Sequence, residues 1–238
     1  MEPAKTESEH KAAALDALVD AALMHVMFDG WGSATFKAAV ADSGVNRELA
    51  RQAAPRGAVD LAVALHRRGD ARMCAALAAA DMSALRYSEK VAFAVRKRLV
   101  LAAPHREAVR RSTALFSLPS HGPEGTALIW GTADAIWRSL GDTSDDVNYY
   151  TKRMTLGGVY AATLLFWLGD DSEDFANTRA FLDRRIADVM RMEKLKSTIK
   201  STPLGKMVMA GAGQILGRIR APEQAVPTDL PGYTGPQG

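Results

Sequence analysis

Apolar residues recur three or four apart along most of this chain. Leu15, Leu18, Ala22 and Val26 predict a helix over residues 11–28 that Gly30 and Gly32 end. Ser33 is placed to cap a second helix running to about Asp42, the turn Ser43-Gly44-Val45 follows, and Asn46 caps a short third helix ending before Pro55. Residues 33–56 therefore read as a helix-turn-helix. Longer helical stretches follow over 56–80 and 88–101, and Pro104 separates the second from a helix over 106–118. Two prolines and two glycines between Pro119 and Gly125 predict a rigid connector.

The next helix, from about Glu124 to Leu140, has Leu128, Ile129, Trp130 and Trp137 on its apolar side. The stretch Asp145–Leu168 carries two stripes: Val147, Tyr150, Met154, Ala161, Leu165 and Leu168 on one, and Tyr149, Arg153, Leu156, Tyr160 and Trp167 on the other. Its second half is apolar nearly all round, the mark of a central buried helix or of one flanking a cavity or a subunit interface. Ser172 is expected to cap a ninth helix, with Glu173 and Asp174 at its positive end and Phe175, Leu182, Ile186 and Val189 as its stripe. After Lys196, S-T-I-K-S-T-P-L-G reads as a hinge, and Pro203 can open a last helix reaching Arg220.

That last segment is amphipathic. Leu204, Val208, Gly211, Ile215 and Ile219 form a stripe that Met207 and Leu216 widen, while Lys206, Arg218 and Arg220 supply charge. Glycines at 205, 211, 213 and 217 each cost up to ~1 kcal/mol relative to alanine. Such a helix is marginal in water and needs a partner surface, and an anionic lipid interface suits an apolar stripe with basic flanks. Beyond Ala221, prolines and glycines without periodicity predict a disordered tail. The organisation expected is thus a helical domain over 10–196, an amphipathic helix over 203–220 and a tail over 221–238.

Composition narrows the class. With 238 residues, 47% apolar and 24% charged, the chain suits one globular domain with an appendage. Sparse β-branched residues and no hairpin signal predict an all-α fold. A single cysteine, Cys74, excludes an internal disulfide framework. No run of eighteen apolar residues occurs, and Glu2, Glu7 and Glu9 near the start fit neither a transit peptide nor a signal peptide. A bacterial cytoplasmic protein, or a processed mature chain, is expected. The net charge of +3 is modest, but from Arg184 to Arg220 nine basic residues face two acids, which points to an anionic membrane or a polyanion.

Catalytic signatures are missing from the sequence. The five histidines (10, 25, 66, 105 and 121) show no metal-ligand spacing, and the one Glu-x-x-His, Glu7 to His10, lies near the terminus. No nucleophile elbow, phosphate loop or complete dinucleotide fingerprint is present. A protein that is not an enzyme, with no cofactor, is expected. DNA reading by Arg47, Arg51 and Gln52 is conceivable, but residues 33–56 carry only four bases against two acids, so a retained scaffold is the better reading and nucleic acid is not an expected partner.

Two blocks carry a family resemblance: S-L-P-S-H-G-P-E-G at Ser117–Gly125, and the run from Asp142 through D-D-V-N-Y-Y-T-K-R-M-T-L-G-G to Asp174. Together they resemble the coenzyme Q biosynthesis accessory proteins, the ninth of the Coq series, over roughly residues 10–220. Where relatives often carry Asn-Trp-Tyr, this chain has Asn148, Tyr149 and Tyr150. The resemblance implies a fold like that of TetR regulators, binding of lipid, and assistance to the di-iron demethoxyubiquinone hydroxylase. Phe116, Trp130, Trp137, Tyr160, Phe166 and Trp167 are then candidates to line a pocket for an isoprenoid quinone or phospholipid, although core packing explains any one of them. Asp146, Asn148, Tyr149, Tyr150 and Arg153 are candidates for the hydroxylase-binding surface. Neighbouring helix positions point about 100° apart, so the two tyrosines are expected in different environments, one of them exposed. Leu204, Met207, Val208, Ile215, Leu216 and Ile219 are candidates for membrane contact on the cytoplasmic face of a bacterial inner membrane, or on the matrix side for a processed mitochondrial chain. A homodimer through helices eight and nine is expected. The alternative function is that of a lipid-responsive TetR-type transcription regulator.

Overall fold

The computed structural model describes residues 6–201 and 220–221, and these form an all-α fold. α1 (Glu7–Asp29) starts with a capping box in which Thr6 and Glu9 bond each other's backbone N–H, and it ends at Gly30, whose φ of 65° suits glycine. α2 (Ser33–Asp42) begins one residue earlier in role than expected: Gly32 is its cap and Ser33 its first helical residue, with no side-chain cap bond. Asn46 does cap α3 (Arg47–Ala53), its Oδ1 accepting from the Leu49 N–H at 2.8 Å.

α4 (Ala58–Ala78) and α5 (Tyr87–Ala102) follow. Pro104 does not break the path after α5. It sits in a single 3₁₀ turn, Ala103–His105, that leads directly into α6 (Arg106–Phe116). α7 (Gly122–Ser139) starts inside the expected connector because Pro123 is accepted in a first turn, where no N–H partner is needed. α8 spans Val147–Leu168.

Ser172 does not cap a helix directly. Residues 173–175 form a 3₁₀ turn in which Asp174 and Phe175 both take positive φ, 50° and 56°. α9 (Ala176–Ser201) begins only after it, with the Ser172 hydroxyl accepting from the Asn177 N–H at 3.1 Å. Asp170 holds this corner: its carboxylate accepts from the backbone N–H and hydroxyl of both Ser172 and Thr178. Burial raises its pKa, but those four donors outweigh burial and hold it well below the usual carboxylate range. The hinge expected after Lys196 is also displaced, since α9 continues to Ser201.

Two cores result. Leu18, Val19, Ala22, Val26, Trp31, Ala39, Ala50 and Leu61 unite α1–α3 with the first turns of α4. Met73, Val95, Leu99, Ile136, Leu156, Tyr160, Trp167 and Leu182 unite α4, α5, α7, α8 and α9. Trp31 ties the first to α6 through its indole N–H, which donates to the Ala108 carbonyl at 3.1 Å. No helix among the described residues is long and apolar enough to cross a membrane. The amphipathic helix expected over 203–220, with Leu204, Met207, Val208, Ile215, Leu216 and Ile219, lies outside the described residues except for Arg220, as does the tail beyond Ala221.

Candidate functional site

A cavity of about 260 Å³ opens between α4, α5, α6, α7 and α8. Leu65, Leu101, Val109, Leu128, Ile129 and Leu164 make most of its wall apolar. Two glycines set its shape by letting neighbours close in. A Cβ at Gly125 would lie 2.8 Å from the Phe116 Cβ, so the start of α7 seats directly on α6 and fixes Phe116 against the cavity. A Cβ at Gly69 would lie 2.6 Å from the guanidinium of Arg98, so α4 leaves that side chain its room.

The inner wall is polar and internally satisfied. Arg98 donates through Nε to Asp70 at 2.7 Å and through Nη2 to the His66 carbonyl at 3.0 Å. The Thr132 hydroxyl donates to Asp70 at 3.0 Å, and its oxygen lies 2.9 Å from His66 Nε2. Burial pushes His66 down to about 4, prevailing over the nearby Asp70 carboxylate, which lies 3.5 Å away and favours protonation. His66 is therefore neutral at pH 7, and its contact with Asp70 is not an ion pair. Burial likewise raises the Tyr160 phenol.

Of the six aromatic residues expected to line a pocket, Phe116 and Tyr160 do so. The other four lie outside this cavity. Trp167 is completely buried in the core, packed edge-on to Phe175. Trp137 stacks on Tyr87 at 5.7 Å between centroids, with Lys152 over its face. Phe166 is 37% exposed and stacks on Phe181. Trp130 faces the start of α8, where it packs against both Tyr149 and Tyr150 at 6.4 and 6.2 Å. Helical spacing could not separate these fates, because which neighbour fills each face is settled by other helices. His66, Arg68, Gly69, Arg72, Arg98 and His105 line the cavity unforeseen, being polar or small residues on segments without an aromatic signal.

At the start of α8 the Asp146 carboxylate caps the helix, accepting from the Asn148 N–H at 2.8 Å and from its side-chain amide at 2.9 Å. The two tyrosines share one environment after all: both are half-buried, and their rings meet edge to face at 5.1 Å, because Trp130 bridges the angle between them. The Tyr150 hydroxyl donates to the Arg220 carbonyl at 3.1 Å, and the Ala221 N–H donates to the Asp145 carbonyl at 2.7 Å. The returning chain thus touches this surface. Arg153 is not part of it. Only 2% exposed, it bonds Asp134 at 2.6 Å and Asp142 at 3.1 Å and lies under the Tyr149 ring at 3.6 Å, which makes it the buried base on which the tyrosines stand.

In the helix-turn-helix, Arg47, Arg51 and Gln52 are exposed. Arg56, by contrast, is clamped by Asp60 and by Glu124 of α7, and Phe36 lies against Gly57 where the chain enters α4.

Residues 122–193, beginning where α7 begins, match the family model described as COQ9. Over this segment the chain is similar to the COQ9 family. The "Ubiquinone biosynthesis protein COQ9, mitochondrial" of Rattus norvegicus is 38% identical over 109 residues, 46% of this chain and 35% of that protein. The human protein of the same name is 36% identical over 109 residues, 46% of this chain and 34% of its own length. That of Drosophila melanogaster is 28% identical over 199 residues, 80% of this chain and 61% of the fly protein. The match thus spans about a third of the mammalian relatives' length. The COQ9 segment holds α7, α8 and most of α9, and hence the Trp130–Tyr149–Tyr150 cluster and one side of the cavity. For the chain as a whole, the crystal structure of a TetR transcriptional regulator from Nitrosomonas europaea superposes with a TM-score of 0.60 at 22% identity, over 73% of this chain and 95% of that one. The COQ9-like segment therefore lies within a TetR-like fold.

Proposed function

We propose that this protein serves ubiquinone biosynthesis as a lipid-binding accessory protein without catalysis of its own. The cavity between α4 and α8 would hold the chain of a polyprenylated quinone intermediate. The tyrosine surface would present the head group to the di-iron demethoxyubiquinone hydroxylase. The observation that carries the reading is an apolar cavity whose α7–α8 side lies in the COQ9-family segment. Exposed Met154, Leu165 and Phe166 on α8, with Met190 and Met192 on α9, support a homodimer through these helices, because an apolar face of that size is costly to leave wet. The basic segment over 203–220 would bring the protein to a membrane surface, cytoplasmic in a bacterium or on the matrix side in a mitochondrion.

Mass spectrometry of lipids carried through purification tests the reading. A polyprenylated species at near-stoichiometric amount is expected, and a lipid-free protein that takes up no long-chain quinone would overturn it. The TetR-like fold and exposed Arg47 and Arg51 keep a second reading, a lipid-responsive regulator, open to test. Specific protection of one operator-length DNA site near physiological salt, lost in Arg47→Ala, would favour it.

A further inference from the structure

The mouth of the cavity carries a charge that the lipid reading alone leaves unused. Besides His66, three arginines and a second histidine line the cavity: Arg68, Arg72, Arg98 and His105. Arg98 is committed to Asp70 and to the His66 carbonyl. Arg68 is committed to two carboxylates of α1, bonding Asp16 at 2.9 Å and also Asp20. The Arg72 side chain makes no hydrogen bond or ion pair to any described residue. His105 stands between these groups. Burial, then Arg72 and then Arg68, push its pKa down, against the opposing charge of Asp20. One guanidinium and one imidazole thus line the same largely apolar cavity, with the nearby Asp16 and Asp20 carboxylates bonded to Arg68.

Building on the lipid-binding reading, we infer that this mouth receives an anionic head group, a carboxylate or a phosphate, on an amphiphile whose chain occupies the cavity. An oxyanion there accepts from Arg72, and its charge relieves the crowding of positive groups around His105. An uncharged head on the same chain gains neither. The apolar wall sets chain binding, whatever the head, so charge recognition and chain binding are separable.

The test compares fluorescent cis-parinarate with its methyl ester, an identical chain without the charge, by titration of the purified full chain. The acid is expected to bind at least tenfold more tightly. In the double variant Arg72→Gln, His105→Gln the two should bind alike, at the wild-type ester's affinity and with an unchanged melting temperature. Ala161→Trp, or Val109→Trp if the first folds poorly, should block both ligands by filling the cavity. Displacement by hexadecyl phosphate against palmitate then assigns the head group, the better competitor identifying phosphate or carboxylate. Equal binding of acid and ester to the wild type, or an acid preference that survives the double variant or the filled cavity, would overturn the anionic site while leaving the lipid pocket standing. Failure of both ligands to bind would remove the pocket itself.

Discussion

Gly69 and Arg98 are fitted to each other: no side chain on Gly69 can coexist with the guanidinium where it stands, since even a Cβ would come within 2.6 Å of it. Alanine in a helix interior ordinarily gains up to ~1 kcal/mol over glycine. Here the sign should reverse, because Arg98 can yield only by giving up its bonds to Asp70 and the His66 carbonyl. Gly69→Ala is expected to destabilise the fold by about 1–3 kcal/mol, the usual cost of overpacking. Urea denaturation at constant m-value measures it.

Arg153 should behave as a structural residue. Arg153→Ala would leave Asp134 and Asp142 facing each other without their shared cation, at a cost of about 3 kcal/mol or more. A lower melting temperature is therefore expected to accompany any loss of partner binding in this variant. A variant that melts like the wild type but fails to bind would place Arg153 at the interface instead.

The aromatic cluster predicts the opposite pattern. Alanine at Trp130, Tyr149 or Tyr150 removes half-buried rings that pack mainly on one another. Each is expected to weaken hydroxylase binding by about 2 kcal/mol with a small change in melting temperature. Co-purification and calorimetric titration with the hydroxylase report the first, and thermal melts the second.

His66 makes stability sensitive to acid. Its folded pKa, about 4, lies below the ordinary histidine value of 6.5, so the unfolded chain binds the proton first as pH falls. Stability should be insensitive to this group above about pH 6.5 and fall by up to roughly 1.4 kcal/mol per pH unit between there and pH 4. His66→Gln should flatten that part of the profile. Denaturant midpoints at half-unit pH steps give the slope.

Membrane contact is testable apart from the domain. Serine at Val208, Ile215 and Ile219 is expected to abolish flotation with anionic liposomes and leave the melting temperature nearly unchanged. The basic residues contribute about 1 kcal/mol each near anionic lipid and are screened by salt, whereas the apolar contact is not. Flotation should therefore be partly salt-resistant.

By itself the sequence determined the helices within residues 7–201, their order and their approximate ends, because helical periodicity and caps such as Asn46 act within a few residues of each other. It also carried the family resemblance in the blocks Ser117–Gly125 and Asp142–Asp174, a feature of residue identity that needs no fold to be visible. The tertiary structure decided what each face meets. Periodicity places Trp130, Trp137, Phe166 and Trp167 on apolar faces alike. Only the docking of α5, α8 and α9 sends one to a tyrosine cluster, one to a stack on Tyr87, one half into solvent and one into the core. The same holds for charge. Arg153 looked like a surface residue among charged neighbours until Asp134 and Asp142, 19 and 11 positions away, closed around it. Arg72 became notable only because the α1 carboxylates are taken by Arg68. Partners so far apart in sequence leave no local pattern, and the free energy of a buried or unpaired charge depends on where folding brings its partners.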